Sequence, residues 1–165
     1  MSLNEVKIRL DTCYFPYHGE LQNLIDQAIT KFGGAVVFDV HSMPRNSLDH
    51  LSEEGANIPQ IVLGDCFGSS CDPLLSQEVF EIFVSEGFRV KKNSPFPGGF
   101  ITKNYGAPKQ NVHVIQIEID RSLYMNERTI TLHAGFFKMK KKLRNIINLL
   151  SDIKRIDLTA IQAAE

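Results

Sequence analysis

The 165-residue sequence lacks any apolar run approaching the ~20 residues a membrane-spanning helix needs, which excludes a helical bilayer span. It is poor in cysteine: Cys13, Cys66 and Cys71 are an odd set without CxxC spacing, so neither a disulfide framework nor a zinc knuckle is expected. These read as reduced thiols in a cytoplasmic protein. It lacks an excess of either charge, with 18 Lys and Arg against 19 Asp and Glu. That balance argues against broad electrostatic binding to nucleic acid. There is no internal repeat, no low-complexity tract, no Ser/Gly linker and no apparent signal peptide. What is present, 43% hydrophobic and 22% charged residues, suits one soluble α/β domain over 1–165 that buries a genuine core.

Apolar and polar stretches alternate as in an α/β chain. Leu21, Leu24, Ile25, Ala28, Ile29 and Phe32 recur at helical spacing, predicting a helix over 18–32 that ends at Gly33-Gly34. Residues 35–40 are β-branched and apolar on both faces, the pattern of a buried central strand. A loop over 44–60 precedes a short strand at 61–64. Asp72-Pro73 reads as the N-cap and first position of a helix whose stripe is Leu75, Val79, Ile82 and Phe83. Gly87 ends it, and a strand begins at 88–90. Residues 93–109 hold three prolines and three glycines and read as a long loop. Residues 112–119 alternate, with Val112, Val114, Gln116 and Glu118 on one face and His113, Ile115, Ile117 and Ile119 on the other. A helix is expected over 129–150, with Phe136, Phe137, Leu143, Ile146, Ile147 and Leu150 turned inward and a short helical tail after Asp152. The basic run 138–142 with Arg144 reads as the solvated face of that helix rather than a nucleic-acid surface.

Polar groups gather where strands end. Asp39, His41 and Ser42 stand at the carboxyl end of one strand, and Glu118 lies within another. Ligand sites of open α/β sheets form beside such ends. A histidine two residues past an aspartate suits a metal ligand with an orienting carboxylate. A glutamate on a neighbouring strand suits a general base. Taken alone, each residue equally suits a structural role. Cys71 before a helix invites a nucleophile reading but has no base assigned to it. His113 faces away from Glu118 and reads as structural, and His50 and His133 read as ordinary surface or packing residues.

Four ordered stretches carry a resemblance: Tyr14-Phe15-Pro16-Tyr17-His18, Phe38-Asp39-Val40-His41-Ser42-Met43, the run from Leu63-Gly64-Asp65-Cys66 to Cys71-Asp72-Pro73, and the run from Asn93-Ser94-Pro95-Phe96-Pro97-Gly98-Gly99 to Tyr105-Gly106. The last continues through His113, Gln116, Glu118, Tyr124 and Met125. In order and spacing, over about 14–127, they resemble the N-formylglutamate amidohydrolase (N-formylglutamate deformylase) family. The resemblance implies a three-layer α/β fold, a mixed sheet flanked by helices, related to phosphorylases and zinc carboxypeptidases. It implies a metal-dependent hydrolase, with zinc as the metal, that splits N-formyl-L-glutamate into formate and glutamate in histidine degradation. Carried over by motif, His41 is the metal ligand, Glu118 the catalytic base and Asp39 the group that fixes the His41 ring. A substrate with two carboxylates wants cationic and hydrogen-bonding partners. Arg45, Lys103, Tyr105 and His18 are the candidates, with Gly98 and Gly99 allowing close backbone approach. His18 equally suits a helix cap.

The sequence departs from the family at its start. Only thirteen residues precede Tyr14, and they hold no Pro-His-Ser-Gly-like metal-binding turn. The expectation is therefore the carboxyl-terminal portion of the family fold, with the amino-terminal part missing. Bared apolar surface would then favour a homodimer. The alternative function is a truncated, catalytically silent relative that acts as a binding or self-associating module.

Overall fold

The computed structural model describes residues 2–54 and 58–153, with the side chains of 50–54 left aside. The tail expected beyond residue 153 and the His50 side chain lie outside the described residues. Helix α1 (Leu3–Arg9) runs through a π turn (Leu10–Tyr14) into α2 (Phe15–Phe32). The helix expected over 18–32 thus begins far earlier. Pro16, which lacks an N–H to give to residue 12, is accommodated because the Phe15 N–H bonds Leu10 O, five residues back. Gly33 ends α2 in the left-handed conformation, φ 76°, as expected.

Strand β1 (Ala35–Met43) is followed by a 3-10 segment (Arg45–Glu54), β2 (Ile61–Gly64), α3 (Pro73–Ser85) and β3 (Val90–Lys92). Asp72 caps α3 by accepting from the Leu74 and Leu75 amides. Then come α4 (Phe100–Tyr105), β4 (Val112–Asp120), a two-residue hairpin β5 (Met125–Asn126) and β6 (Thr131–Leu132), and α5 (Gly135–Ser151). Two expectations are corrected here. The presumed loop at 93–109 contains α4, because Thr102 and Tyr105 are buried and hold its inner face on the sheet. The last helix starts at Gly135 rather than near 129, because Thr131–Leu132 pairs back on Met125–Asn126.

The main sheet is mixed, in the order β1-β4-β2-β3. β1 and β4 are parallel, β2 is antiparallel to β4, and β3 is parallel to β2. β4 is central and buried along its whole length. β1 is an edge strand, which corrects the reading of residues 35–40 as central: Val36 is 44% and Val40 62% exposed. Helices cover both faces. On one, Ile25, Tyr105 and their neighbours from α2 and α4 pack on Ala35, Val112 and Val114. On the other, Leu75, Val79 and Phe83 of α3 and Met139 and Ile146 of α5 pack on Ile61, Leu63, Ile115, Ile117 and Ile119. Phe137 and Ile147 are exposed on α5 rather than turned inward, and Met139 takes the inner position. Lys142 of the basic run donates to Glu86 O and lies 4.5 Å over the Phe88 ring.

Candidate active site

Strand alternation decides which side chains meet. Along β4, Gln116, Glu118 and Asp120 share the face covered by α2 and α4; along β1, Asp39 and His41 share it too. The parallel register sets His41 beside Glu118 and Asp39 beside Gln116. The residues expected to act together therefore lie together, at the carboxyl ends of two parallel strands. His41 Nε2 is 2.9 Å from Asp39 Oδ1. Glu118, 8% exposed, accepts a 2.9 Å hydrogen bond from Gln116 Nε2.

Burial pushes the Glu118 carboxyl above the ordinary glutamate range. The nearby His41 charge, the Gln116 hydrogen bond and the Arg121 charge oppose that shift, and the Asp39 carboxylate adds to it. The net direction is upward, the direction a buried general base takes. Arg121 clamps the end of β1, its Nε 3.1 Å from Ser42 Oγ and its Nη2 3.0 Å from Ser42 O.

A second group forms around His18. Its Nδ1 is 2.6 Å from the Tyr105 hydroxyl, and the two rings stack at 13°. Tyr14, Tyr17 and Phe100 surround the imidazole, with ring centroids 4.2, 5.1 and 5.4 Å away. The Gly98-Gly99 turn joins this group to the first. A Cβ on Gly99 would stand 3.1 Å from Gln116 Oε1, while the next residue, Phe100, touches His18. Gly98 has φ +132°, and a Cβ there would meet Thr102 Oγ1 at 2.5 Å and Cys66 Sγ at 2.7 Å, so this turn requires glycine.

The remaining candidates fall differently. Arg45 lies just past β1, and its Nη1 makes a 2.7 Å ion pair with the buried Asp120 carboxylate. Its amide donates to Glu127 Oε1 at 2.8 Å. Lys103 is exposed on α4, and among the described residues its side chain has no hydrogen bond or ion pair to either group. Gln116 and Arg121 were not among the expected site residues. The two-residue spacing of Gln116 and Glu118 on one strand was the signal for the first; nothing local signals the second.

Three other readings are decided here. Cys71 is fully buried, and burial with the Asp65 and Asp72 charges pushes its thiol up to about 12, so it is no nucleophile at neutral pH. His113 accepts from the Asp72 amide through Nδ1 and reaches Asn111 Oδ1 through Nε2, at 3.1 Å each, and burial lowers its pKa. It is a neutral structural imidazole. The His133 ring bonds Ser122 O and the Gly135 amide, a packing role.

Among the described residues, no three His, Cys, Asp or Glu side chains form a metal-holding group. The one imidazole beside Glu118 already has its Nε2 on Asp39. The described residues do not fit a complete zinc site, which normally takes three protein ligands. A separate groove of about 880 Å³ lies across the sheet, between β1 and α5. His41, Ser42 and Arg121 line it together with Lys140 and Arg144 of α5 and the apolar Val40, Phe136, Leu143 and Ile147, but Glu118 does not.

The family model described as N-formylglutamate amidohydrolase matches residues 1–125. An N-formylglutamate deformylase of Pseudomonas putida is 36% identical over 124 residues, 74% of this chain and 45% of that protein. One from Pseudomonas aeruginosa is 35% identical over 114 residues, 68% of this chain and 42% of its own length. The chain thus spans less than half the length of these curated relatives. The crystal structure of N-formylglutamate amidohydrolase from Ralstonia eutropha superposes with a TM-score of 0.81 at 30% identity, over 92% of this chain and 54% of that one. A gene product of Agrobacterium tumefaciens shares the fold at 17% identity and a TM-score of 0.60, over 94% of this chain and 57% of that one.

Proposed function

We propose, from the premise that the chain belongs to the N-formylglutamate amidohydrolase family, that it hydrolyses the formamide of an acidic N-formyl amino acid, N-formylglutamate first among them. The observation that carries the proposal is the pairing of a buried, upward-shifted Glu118 with His41 at adjoining strand ends. A formamide is resonance-stabilised and resists water. Glu118 as general base takes a proton from the attacking water and returns it to the departing nitrogen, so that water plus amide gives formate plus amine. Asp39 holds the His41 ring at the site, and Gln116 holds the Glu118 carboxylate. Arg45, Lys103, His18 and Tyr105 are proposed to receive the substrate carboxylates, with the Gly98-Gly99 turn carrying the backbone close to them. The same premise supports assigning the sandwich to the phosphorylase and zinc-carboxypeptidase type, for which the mixed sheet between two helical layers speaks.

The test is formate release from N-formylglutamate by the wild type and by Glu118→Gln, with metal content measured on the same samples. Release by the wild type and a fall of about 10²-fold or more in the variant support the assignment. Equal turnover in both would sink Glu118 as the base. Stoichiometric zinc would mean that His41 finds ligands beyond those described; the proposed proton transfers do not depend on it.

A further inference from the structure

The Thr102 side chain is fully buried on α4, and its hydroxyl is engaged in both senses. It donates to Gly99 O at 2.9 Å and accepts from Cys66 Sγ at 3.4 Å. The same turn is fixed from β2. The Cys66 amide donates to Pro97 O at 2.7 Å, and a Cβ on Gly64 would meet Pro97 C at 2.7 Å and Gly98 N at 2.8 Å. The turn is thus seated directly on Gly64, which pairs with Gln116 of β4 in the sheet register. Gly99 then abuts the Gln116 side chain. A Cβ there would stand 3.1 Å from Gln116 Oε1, while the other end of the same amide, Nε2, donates to Glu118.

We propose that Thr102 is a positioning residue for Glu118, an inference that rests on the reading of that carboxylate as the general base. The Thr102 hydroxyl fixes the Gly98-Gly99 turn, the turn closes one side of the Gln116 amide, and the amide sets the carboxylate. An amide held at one end only could swing away from the group it serves; Gly99 fills the space that movement needs. Thr102 and Gln116 are both buried, so the chain of contacts runs through the interior rather than across a loop surface. Valine at Thr102 keeps the volume of the side chain and loses both of its bonds. Gly99 O is then left with the 3.4 Å bond from the Lys103 amide.

The test does not need turnover. The side-chain amide signals of Gln116 in a proton–nitrogen correlation spectrum, assigned by their absence from Gln116→Leu, report the bond to Glu118 through their rate of exchange with water. Thr102→Val should speed that exchange about tenfold, the scale of one lost hydrogen bond to a charged group, and Thr102→Ser should leave it at the wild-type rate. Gly99→Ala keeps the Thr102 bonds and presses a methyl on Gln116 Oε1; it should speed the exchange as well, and it takes the place of Thr102→Val if valine leaves the chain unfolded. Formate release from N-formylglutamate by the same proteins should show kcat about tenfold lower in Thr102→Val, KM within about twofold, and recovery in Thr102→Ser. Unchanged Gln116 exchange in a folded Thr102→Val, or in Gly99→Ala where valine does not fold, overturns the proposal whether or not the wild type turns over. So does a loss of kcat that Thr102→Ser shares in full. A wild type that releases no formate sinks the reading of Glu118 as a base, while faster exchange in the variants still upholds the chain from Thr102 to the carboxylate.

Discussion

Replacing Asp65 by alanine should destabilise the protein by about 4 kcal/mol at neutral pH. Asp65 is only 3% exposed, at the end of β2, and its carboxylate gathers donors from three directions. Ser76 of α3 donates to Oδ2, Asn93 Nδ2 donates to Oδ1 at 2.7 Å, and the Gly68 amide donates to Oδ1 at 3.1 Å. Lys92 Nζ stands 3.7 Å from Oδ2. Hydrogen bonds to a charged acceptor contribute roughly 1.5–3 kcal/mol each. Alanine leaves three donors facing a cavity, so the low end of that range already sums to about 4 kcal/mol; the Lys92 pair is partly exposed and adds little. For a chain of this size the midpoint of thermal unfolding should fall by about 10 °C. Urea unfolding followed by circular dichroism measures the loss directly, and a loss under about 1 kcal/mol would refute the reasoning. The pH dependence gives a second check. Burial pushes the Asp65 carboxyl up, but the bonds from Ser76, Asn93 and Gly68 and the Lys92 charge outweigh it, and the net shift is downward. Its stabilisation is therefore complete above the unfolded pKa of about 3.9 and is lost as pH falls through the lower folded value. The gap between wild type and Asp65→Ala should stay level from pH 7 to about 5 and close only in stronger acid.

Glu118→Gln should abolish most turnover yet leave urea stability at pH 7 equal or higher, because a carboxyl with a raised folded pKa weakens the fold once ionised; a marked loss of stability would contradict the burial argument. The acid limb of the rate profile should lie above the ordinary glutamate range for the same reason. Tyr105→Phe removes the hydroxyl on His18 Nδ1 and should lower stability by about 1 kcal/mol while raising KM; an unchanged KM would remove His18 and Tyr105 from substrate binding. Thiol labelling near pH 8 should modify the exposed Cys13 readily and spare Cys71 until urea unfolds the chain, and rapid labelling of Cys71 in the native state would contradict its burial.

Local signals served the sequence reading where structure is local. The Asp72-Pro73 cap, the Gly33 stop and the alternation along β4 depend on neighbours a few residues away, and all stand in the structure. The apolar stripe placed the helix start at 18 and missed the turns ahead of it, since whether a helix continues through Pro16 depends on how it is wound there. α4 was hidden among prolines and glycines, since only burial of Thr102 and Tyr105 against the sheet makes that stretch helical. β1 reads as central from composition, yet among the described residues it stands at the edge of the sheet, because composition does not report strand order. At the site, Asp39 and His41 share a strand and their contact was legible. That Glu118 stands beside His41 follows from strand order, which the resemblance supplied and periodicity alone did not. The Arg45–Asp120 ion pair joins residues 75 positions apart, and no local pattern announces it.

The π turn explains which residues line the groove leading to His18. From His18 a uniform α-helix, at 3.6 residues per turn, would carry the same face back through Tyr14 to Asp11 and Lys7. The groove instead runs along His18, Tyr14, Leu10 and Val6, with Tyr17, Cys13 and Arg9 beside them. The wider turn at Leu10–Tyr14 takes up one residue without adding its share of rotation, and everything ahead of it is out of phase by one position. Leu10 and Val6 thus stand where Asp11 and Lys7 would have stood. The helix behaves as a plain α-helix into which one residue has been spliced, and excising Asp11 would restore even winding with Leu10 and Val6 still on the same rail.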